Sequence, residues 1–523
     1  MVSLVSPIRA LGLGLLLAGT ALAGWLPIDS ITNRGTSDMT CQSNARSVAS
    51  DAAGNIHVVW RGRVSGTYQV WYSGRDAASG QWTPDTALTS VAGGVCDPAC
   101  ALGPDQALLV AWNDSASGTL HLLTRDTTGR WTRLDSLVGR QNDGMVSLCL
   151  DSSGKIHAVW RGSDISGSFV CYASHGDTGW SRPDTLTANG MHGSWPSITC
   201  SPGDAAMAVW VGSGGYSIVS RRCIADSWQD PEVVYDGYAA DPCVAWGADS
   251  FYAAWLGGNY PTQHVLARAR SVYGWSDTAK LNVWRVGQPG VSIAADVDGA
   301  LHVAWSGYDS ASQNYNHIQY AVRPSAGVWQ RQQRLDSADA DRLRVSVSAR
   351  GGMVQVAWTE LAPSVPAVRL RRYERIHDVG ALRIEQLADT VDSGAVAWLR
   401  GWLKNYGDFV ETEVPVWLTF SGYADVETLP WIIPEDVDRI QFDSTALTAR
   451  GLQVVSCSTA LVGDAKPAND AVHDSFFVRV CDVGADSILA PDSTVYDAVL
   501  VPRVRVRNRG NTVRSVLLCL SPV

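Results

Sequence analysis

Eight residues of this chain carry side chains suited to ligand chemistry and stand at comparable places in a recurring pattern. Asp97, Asp143, Trp195, Asp241 and Asp341 each come just before a short apolar segment; Arg61, Arg161 and Glu360 each follow within two residues of a segment that ends in tryptophan. Drawn together, acids, guanidinium groups and one indole can hydrogen-bond sugar hydroxyls while the indole stacks on a ring face. A hydrolytic alternative uses Asp97, Asp241 or Glu360 as carboxylates, with Arg61 and Arg161 holding an anionic sugar. Such catalysis needs two carboxyls about 5 to 5.5 Å or about 6.5 to 9.5 Å apart, one of them with a raised pKa. The plainer reading is that Asp97-Pro98 and Asp241-Pro242 start strands and that the loop charges keep a rim solvated. No G-x-S-x-G, H-E-x-x-H, P-loop or dinucleotide fingerprint is present, so no metal and no cofactor is expected.

The segments that must position these groups repeat seven times. Short apolar strands end at Trp60, Trp112, Trp160, Trp210, Trp255, Trp305 and Trp358, with an Asp-x-x-Gly turn ahead of the clearest copies, DAAGNIHVVW, DSSGKIHAVW and DVDGALHVAW. Each copy supplies four segments: an inner strand, the Trp-ending strand, a third strand, and an outer one opened by Trp82, Trp131, Trp180, Trp228, Trp275 or Trp329. A strand period of about 40 to 50 residues predicts a β-propeller, here seven-bladed over residues 24–375. The seventh copy has no outer Trp phrase, and Trp25-Leu-Pro-Ile-Asp supplies one, so the N-terminus is expected to close the last blade. In IHVVW, Ile56, Val58 and Trp60 face one neighbour and His57 and Val59 the other. The recurring His57, His157 and His302 therefore read as packed, hydrogen-bonded residues and not as ligands.

Composition narrows the setting. Residues 1–23 carry one charge, Arg9, an apolar run LGLGLLLA and an Ala21-Leu22-Ala23 cleavage site, which together read as a secretory signal. Export without membrane insertion is expected, as a secreted or cell-surface protein. Residues 24–375 hold 28 basic and 31 acidic side chains, and residues 376–523 hold 12 and 20. Neither part is basic, which argues against nucleic acid and anionic membranes as partners. Of eleven cysteines, Cys100, Cys149, Cys200 and Cys243 fall 10 to 12 residues before repeat tryptophans and read as buried thiols in one small core slot. Cys96 with Cys100, or Cys171 with Cys223, are the alternatives for a disulfide.

At Ile376 the rhythm changes. DVGALRIEQLADTVDSG begins an antiparallel pattern over residues 376–480, of immunoglobulin-like length, and DVGADSILAPDSTVYDA restarts it over 481–523. Asn405-Tyr-Gly and Asn508-Arg-Gly mark matching turns. The second copy is shorter than half a unit, so it is expected to be the start of a domain that continues further.

The D-x-x-G-x-I-H-V-x-W copies resemble the sialidase-like (BNR-type) propellers of bacterial secreted proteins, over roughly residues 25–375. That family's Asp-box places Trp three residues after Gly, whereas here the position holds His57, His157 or His302, and the Arg-Ile-Pro segment is missing. Residues after 376, in particular GDAKPAND at 463–470, resemble the CARDB-type adhesion module, an immunoglobulin-like sandwich of bacterial surface proteins. The resemblance implies an all-β chain that binds a glycan or a surface protein on the propeller's loop face, with a sialidase-like glycoside hydrolase as the alternative.

Overall fold

The computed structural model describes residues 24–519, leaving out 33–34, 42–45, 97, 140–143, 166, 188–190, 204, 248, 260–262, 284–285, 287–289, 309–314, 326, 337–339, 362–364, 386–387, 492–498 and 500. The signal-like segment 1–23 lies outside the described residues. Two compact units are present, one spanning Trp25–Glu374 and one running from Arg375 onward. Both are built of strands, and among the described residues no helix is long and apolar enough to cross a membrane.

The first unit consists of seven antiparallel sheets of four or five strands, each headed by one of the repeat segments. Their inner strands are Val48–Ser50, Ala99–Leu102, Gly144–Leu150, Ser194–Cys200, Ala239–Gly247, Val291–Ala295 and Asp341–Arg350. Each packs on the inner strand of the next sheet, and the seventh packs on the first. All seven repeat tryptophans lie in second strands and are at most 3% exposed. Alternation puts Ile56, Val58 and Trp60 into a core shared with Ala357, Val368 and Leu370 of the seventh sheet, while Val59 joins Cys100, Val110 and Trp112 of the second. A strand buried on both faces has no polar side, which explains its near-continuous apolar run.

The Asp-x-x-Gly turns are built as their chemistry requires. Asp51 Oδ1 accepts the Ala53 and Asn55 amides at 3.0 and 2.9 Å, Asp151 Oδ1 accepts those of Ser153 and Lys155, and Gly54 and Gly154 close the turns at φ 84° and 86°. The histidines behind them are buried. Each donates or accepts one hydrogen bond through Nδ1 to a tyrosine hydroxyl of the third strand: His57 to Tyr72 at 3.0 Å, His157 to Tyr172 at 2.9 Å, His302 to Tyr320 at 2.6 Å. Those tyrosines then meet an outer tryptophan of the following sheet edge-on, as in Tyr72 with Trp131 and Tyr172 with Trp228.

Trp25 fills the same slot in the seventh sheet, edge-on to Tyr320 with centroids 5.0 Å apart. Around it, Leu26 donates its amide to Arg372, and Asp29–Ser30 pairs antiparallel with Leu370 and Arg369. The N-terminal strand is thus the outer strand of the last sheet. Arg371 secures it through Leu26 O at 2.8 Å while reaching Leu335 of the sixth sheet, and Arg221 and Arg268 make matching bridges elsewhere in the ring.

The cysteine reading needs correction. Register places Cys100 opposite Val110, Cys149 opposite His157, Cys200 opposite Ala206 and Cys243 opposite Ala254, so the four occupy different positions along the inner strands. Bulges and unequal loops make sequence distance from the tryptophan a poor guide to register. Cys149 and Cys200 form a disulfide between the third and fourth sheets, with Cα atoms 5.9 Å apart. Cys100 and Cys223 carry free thiols, so neither the Cys96–Cys100 nor the Cys171–Cys223 pairing is made.

In the second unit, Val379–Glu385, Arg400–Asn405 and Val437–Gln441 form a three-stranded sheet. A five-stranded sheet runs in the order Thr390–Asp392, Ala471–Arg479, Gly451–Thr459, Glu411–Phe420, Tyr423–Ile432. Both contribute to one core, including Leu403, Val416, Leu418, Phe442, Val455 and Phe476. The late GDAKPAND turn anchors the unit's start: Asp464 accepts the Val379 amide, and the buried Asp378 meets Asn469 and Lys466. Asn405 accepts the Gly407 amide through Oδ1 and donates to Phe409 O, and Asn508 repeats both bonds with Gly510 and Thr512. Both asparagines end strands and neither has a positive φ, so their side chains make the turn.

Candidate functional site

The inner strands of the ring share a local irregularity. Register slips between Gly144 and Ser147, Ser194 and Ser197, Ala240 and Cys243, and Leu343 and Ser346. At each slip a residue takes positive φ: Met145 at 59°, Trp195 at 50°, Asp241 at 46° and Arg344 at 57°. Such bulges re-aim a side chain, and a non-glycine residue held there costs about 1 to 3 kcal/mol, which the flanking ladder must offset. Gly290, at the corresponding place in the sixth sheet, has φ 142°.

Just beyond the bulges, serines join neighbouring sheets. Ser147 Oγ accepts the Ile198 amide at 3.2 Å, Ser197 Oγ that of Val244 at 3.3 Å, Ser292 Oγ that of Val347 at 2.9 Å, and Ser346 Oγ that of Ser47 at 2.9 Å. Small hydroxyls are needed because these strands crowd together, and each satisfies an amide turned away from its own ladder. Arg46, next to Ser47, reaches across to Ile198 O at 3.1 Å and Val244 O at 2.9 Å. Its guanidinium therefore links the first sheet to the fourth and fifth, and burial lowers its pKa.

The described positions singled out from sequence fall at one end of the sheets. Arg161 pairs with Gly144, at the foot of the Met145 bulge, and Arg342 pairs with Glu360. Trp195 is half-buried, packed on the cores between the fourth and fifth and between the fifth and sixth sheets. Arg61 lies over the Tyr68 ring at 4.8 Å, with Arg63 at 4.7 Å. Asp341 accepts the Asn316 amide and side chain through Oδ1. Glu360 is held by Arg342 and Arg369, each at 3.1 Å. Asp97 and Asp143 lie outside the described residues.

Asp241 differs from the rest. It is 3% exposed, and neither carboxylate oxygen meets a donor in hydrogen-bonding geometry. Burial pushes its carboxyl up to about 7, an effect that the Gly290 amide offsets only in part. An enclosed carboxyl of this kind is stable as the neutral acid.

Sequence reasoning missed three features. Arg46 stands in no motif. A buried network at the junction of the sixth and seventh sheets joins His317 to Asp336 at 2.7 Å, Asp336 to Arg342 at 3.4 Å, and Arg342 to Glu360. Its members come from three strands and, for Asp336, from the segment after Gln333–Arg334; of them only Glu360, with the neighbouring Asp341, carried a repeat signal. In the second unit Asp425, Glu427 and Asp443 bring carboxylate oxygens within 4.8 Å of one another, beside the Tyr423 hydroxyl.

No protein-family model and no curated protein matches the chain. Among solved structures, a protein of unknown function from Dyadobacter fermentans aligns over 67% of this chain and all of its own, at 12% identity and TM-score 0.40. A sialidase from Streptococcus pneumoniae aligns over 67% of this chain and 71% of its own, at 9% identity and TM-score 0.40. The CARDB domain of a Pyrococcus furiosus protein covers 20% of this chain and 96% of its own, at 17% identity and TM-score 0.18.

Proposed function

We propose that the first unit is a seven-bladed β-propeller and the second a CARDB-type immunoglobulin-like sandwich, in a secreted or cell-surface protein that binds a glycan at the bulged mouth of the ring without turning it over. One observation carries this reading: the three described acids singled out at the mouth are spent or enclosed. Glu360 is neutralised by two arginines, Asp341 is occupied by Asn316, and Asp241 is shut away. Hydrolysis needs two carboxyls exposed to one glycosidic bond. These three acids offer no such pair, while the half-buried Trp195 keeps a surface for stacking, and Arg61 and Arg161 stand at the corresponding ends of the first and third sheets.

The test is a glycan array run beside a panel of chromogenic glycosides. Binding without turnover, weakened about five- to thirty-fold by Trp195→Ala, is expected, since a stacked aromatic contributes on the order of 1 to 2 kcal/mol. Turnover abolished by Asp241→Asn would overturn the binding reading in favour of the hydrolase. Silence on every glycan would shift the mouth to a protein partner.

A further inference from the structure

Trp195 is not the only aromatic ring at its end of the fourth and fifth sheets. Tyr216 follows the short turn Ser213–Gly215 that leads from the second strand of the fourth sheet to the third, and Tyr238 immediately precedes the fifth sheet's inner strand. Pairing of Ser194 with Val211, and of Ala239 with Gly257, puts both tyrosines at the bulged end of the ring. Trp195 packs on a core that includes Val211, Ile218 and Ala239, the near neighbours of Tyr216 and Tyr238. Both phenol rings are open to solvent, Tyr216 by 63% and Tyr238 by 39%, and so forgo most of the gain that burial would bring.

These rings are held in place by the backbone around them. Tyr216 O accepts the Gly237 amide at 2.7 Å, and Tyr238 O accepts that of Gly258 at 3.0 Å. At Gly214, with φ 71°, a Cβ would stand 3.2 Å from Tyr216 Cδ2, so the Tyr216 ring rests against a turn that carries no side chain there. The two phenols meet edge-on, with centroids 6.3 Å apart and planes at 82°.

Charge is scarce in this arc. Residues 191–196, 211–218 and 235–240 hold one charged side chain, Asp236, and one histidine, His192. The arginines of the mouth, Arg61, Arg63 and Arg161, belong to the first and third sheets. Open aromatic faces with few charges beside them suit a ligand that is apolar on its faces and hydroxylated at its edges, as a neutral pyranose is.

The right angle between the phenols then selects the shape of the chain. In a ribbon-like glycan the sugar faces lie nearly parallel along the chain, and parallel platforms match them. In a coiled glycan each sugar plane is turned relative to the one before it. Two fixed rings at 82° can stack on two sugars of a coiled chain together, and on a ribbon only one at a time.

We propose that Tyr216 and Tyr238 extend the Trp195 surface into a subsite for a neutral oligosaccharide with a coiled backbone, one sugar stacked on each phenol; this rests on the glycan reading of the mouth and names the class of glycan.

The test is calorimetric titration of the full chain with two coiled probes, maltohexaose and laminarihexaose, against cellohexaose, a ribbon of the same sugar and length, and hexaproline as a peptide probe. Saturable binding of at least one coiled probe is expected, at least about tenfold tighter than cellohexaose, with none of hexaproline. Tyr216→Ala and Tyr238→Ala are each expected to weaken it about three- to tenfold, while Tyr216→Phe and Tyr238→Phe keep the platforms and most of the affinity. No saturable binding of either coiled probe, cellohexaose bound as tightly, hexaproline bound in their place, or full affinity in both alanine variants would each overturn the proposal. The glycan array with Trp195→Ala judges the mouth separately: glycans that depend on Trp195 but not on the two tyrosines would leave that reading standing and remove this one.

Discussion

Replacing Asp241 by asparagine tests whether the buried carboxyl is held neutral. With the folded pKa near 7 against an ordinary 3.8, the folded chain binds this proton more tightly than the unfolded chain does. Below about pH 4 both states are protonated and the group is silent. Between about 4 and 7 the folded state alone keeps its proton, so stability falls as pH rises, by up to about 1.4 kcal/mol per unit. Above 7 both states are ionised and the full cost, on the order of 4 kcal/mol, is present at every higher pH. Asparagine has nearly the same shape and no proton to lose. The variant is therefore expected to match the parent at pH 4 and to exceed it by roughly 3 to 4 kcal/mol at pH 8. Thermal and urea melts of both proteins across pH 4 to 8.5, followed by the many tryptophans, measure this directly. Only the difference between the two curves is informative, because buried histidines slope the other way in the parent. A gap that stays constant with pH, or a variant less stable than the parent at pH 8, would refute the reasoning.

His57 supplies the opposing slope. Burial lowers its pKa to about 4 from 6.5, so stability is fully present above about 6.5 and is lost as pH falls toward 4, by up to about 3 kcal/mol; His57→Gln should flatten that limb of the pH profile. Cutting the Cys149–Cys200 bond with a double Ser substitution, across a separation of 51 residues, is expected to cost about 4 kcal/mol on the chain-entropy account, read as a lower urea midpoint in non-reducing buffer. Trp255→Ala, at a fully buried repeat position, should cost about 3 to 5 kcal/mol by the same melts.

The repeat was legible because it is written in the two kinds of residue that local chemistry constrains most. An Asp-x-x-Gly turn needs its carboxylate and its positive φ, and a strand buried on both faces needs an apolar run, so alternation alone assigns His57 and Trp60 to opposite faces. Trp25 was equally legible, since its phrase repeats that of Trp131 and Trp228. The bulges were not. Nothing in Met145, Trp195, Asp241 and Arg344 marks a shared backbone conformation, because the positive φ is imposed by crowding of seven inner strands and not by residue type. That same slip hid the cysteine register and with it the disulfide. The carboxylates at the mouth carried the right residue types, but whether each is free or neutralised depends on arginines brought from other strands, as Glu360 shows with Arg342 and Arg369.

The strand at Asp29–Ser30 pairs with residues some 340 positions later in the chain, Leu370 and Arg369. During synthesis that segment is made first and its partner almost last among the strands of the ring. Until the partner exists, Asp29–Ser30 has no strand to pair with and Trp25 lacks the tyrosines it packs on, Tyr320 and Tyr373. The final step of assembly is a contact between chain ends, with the loop-closure entropy of the whole ring to overcome at once. Folding of this unit should therefore be slow and end-limited, and a circular permutant that makes the two strands contiguous is expected to fold faster while reaching the same native state.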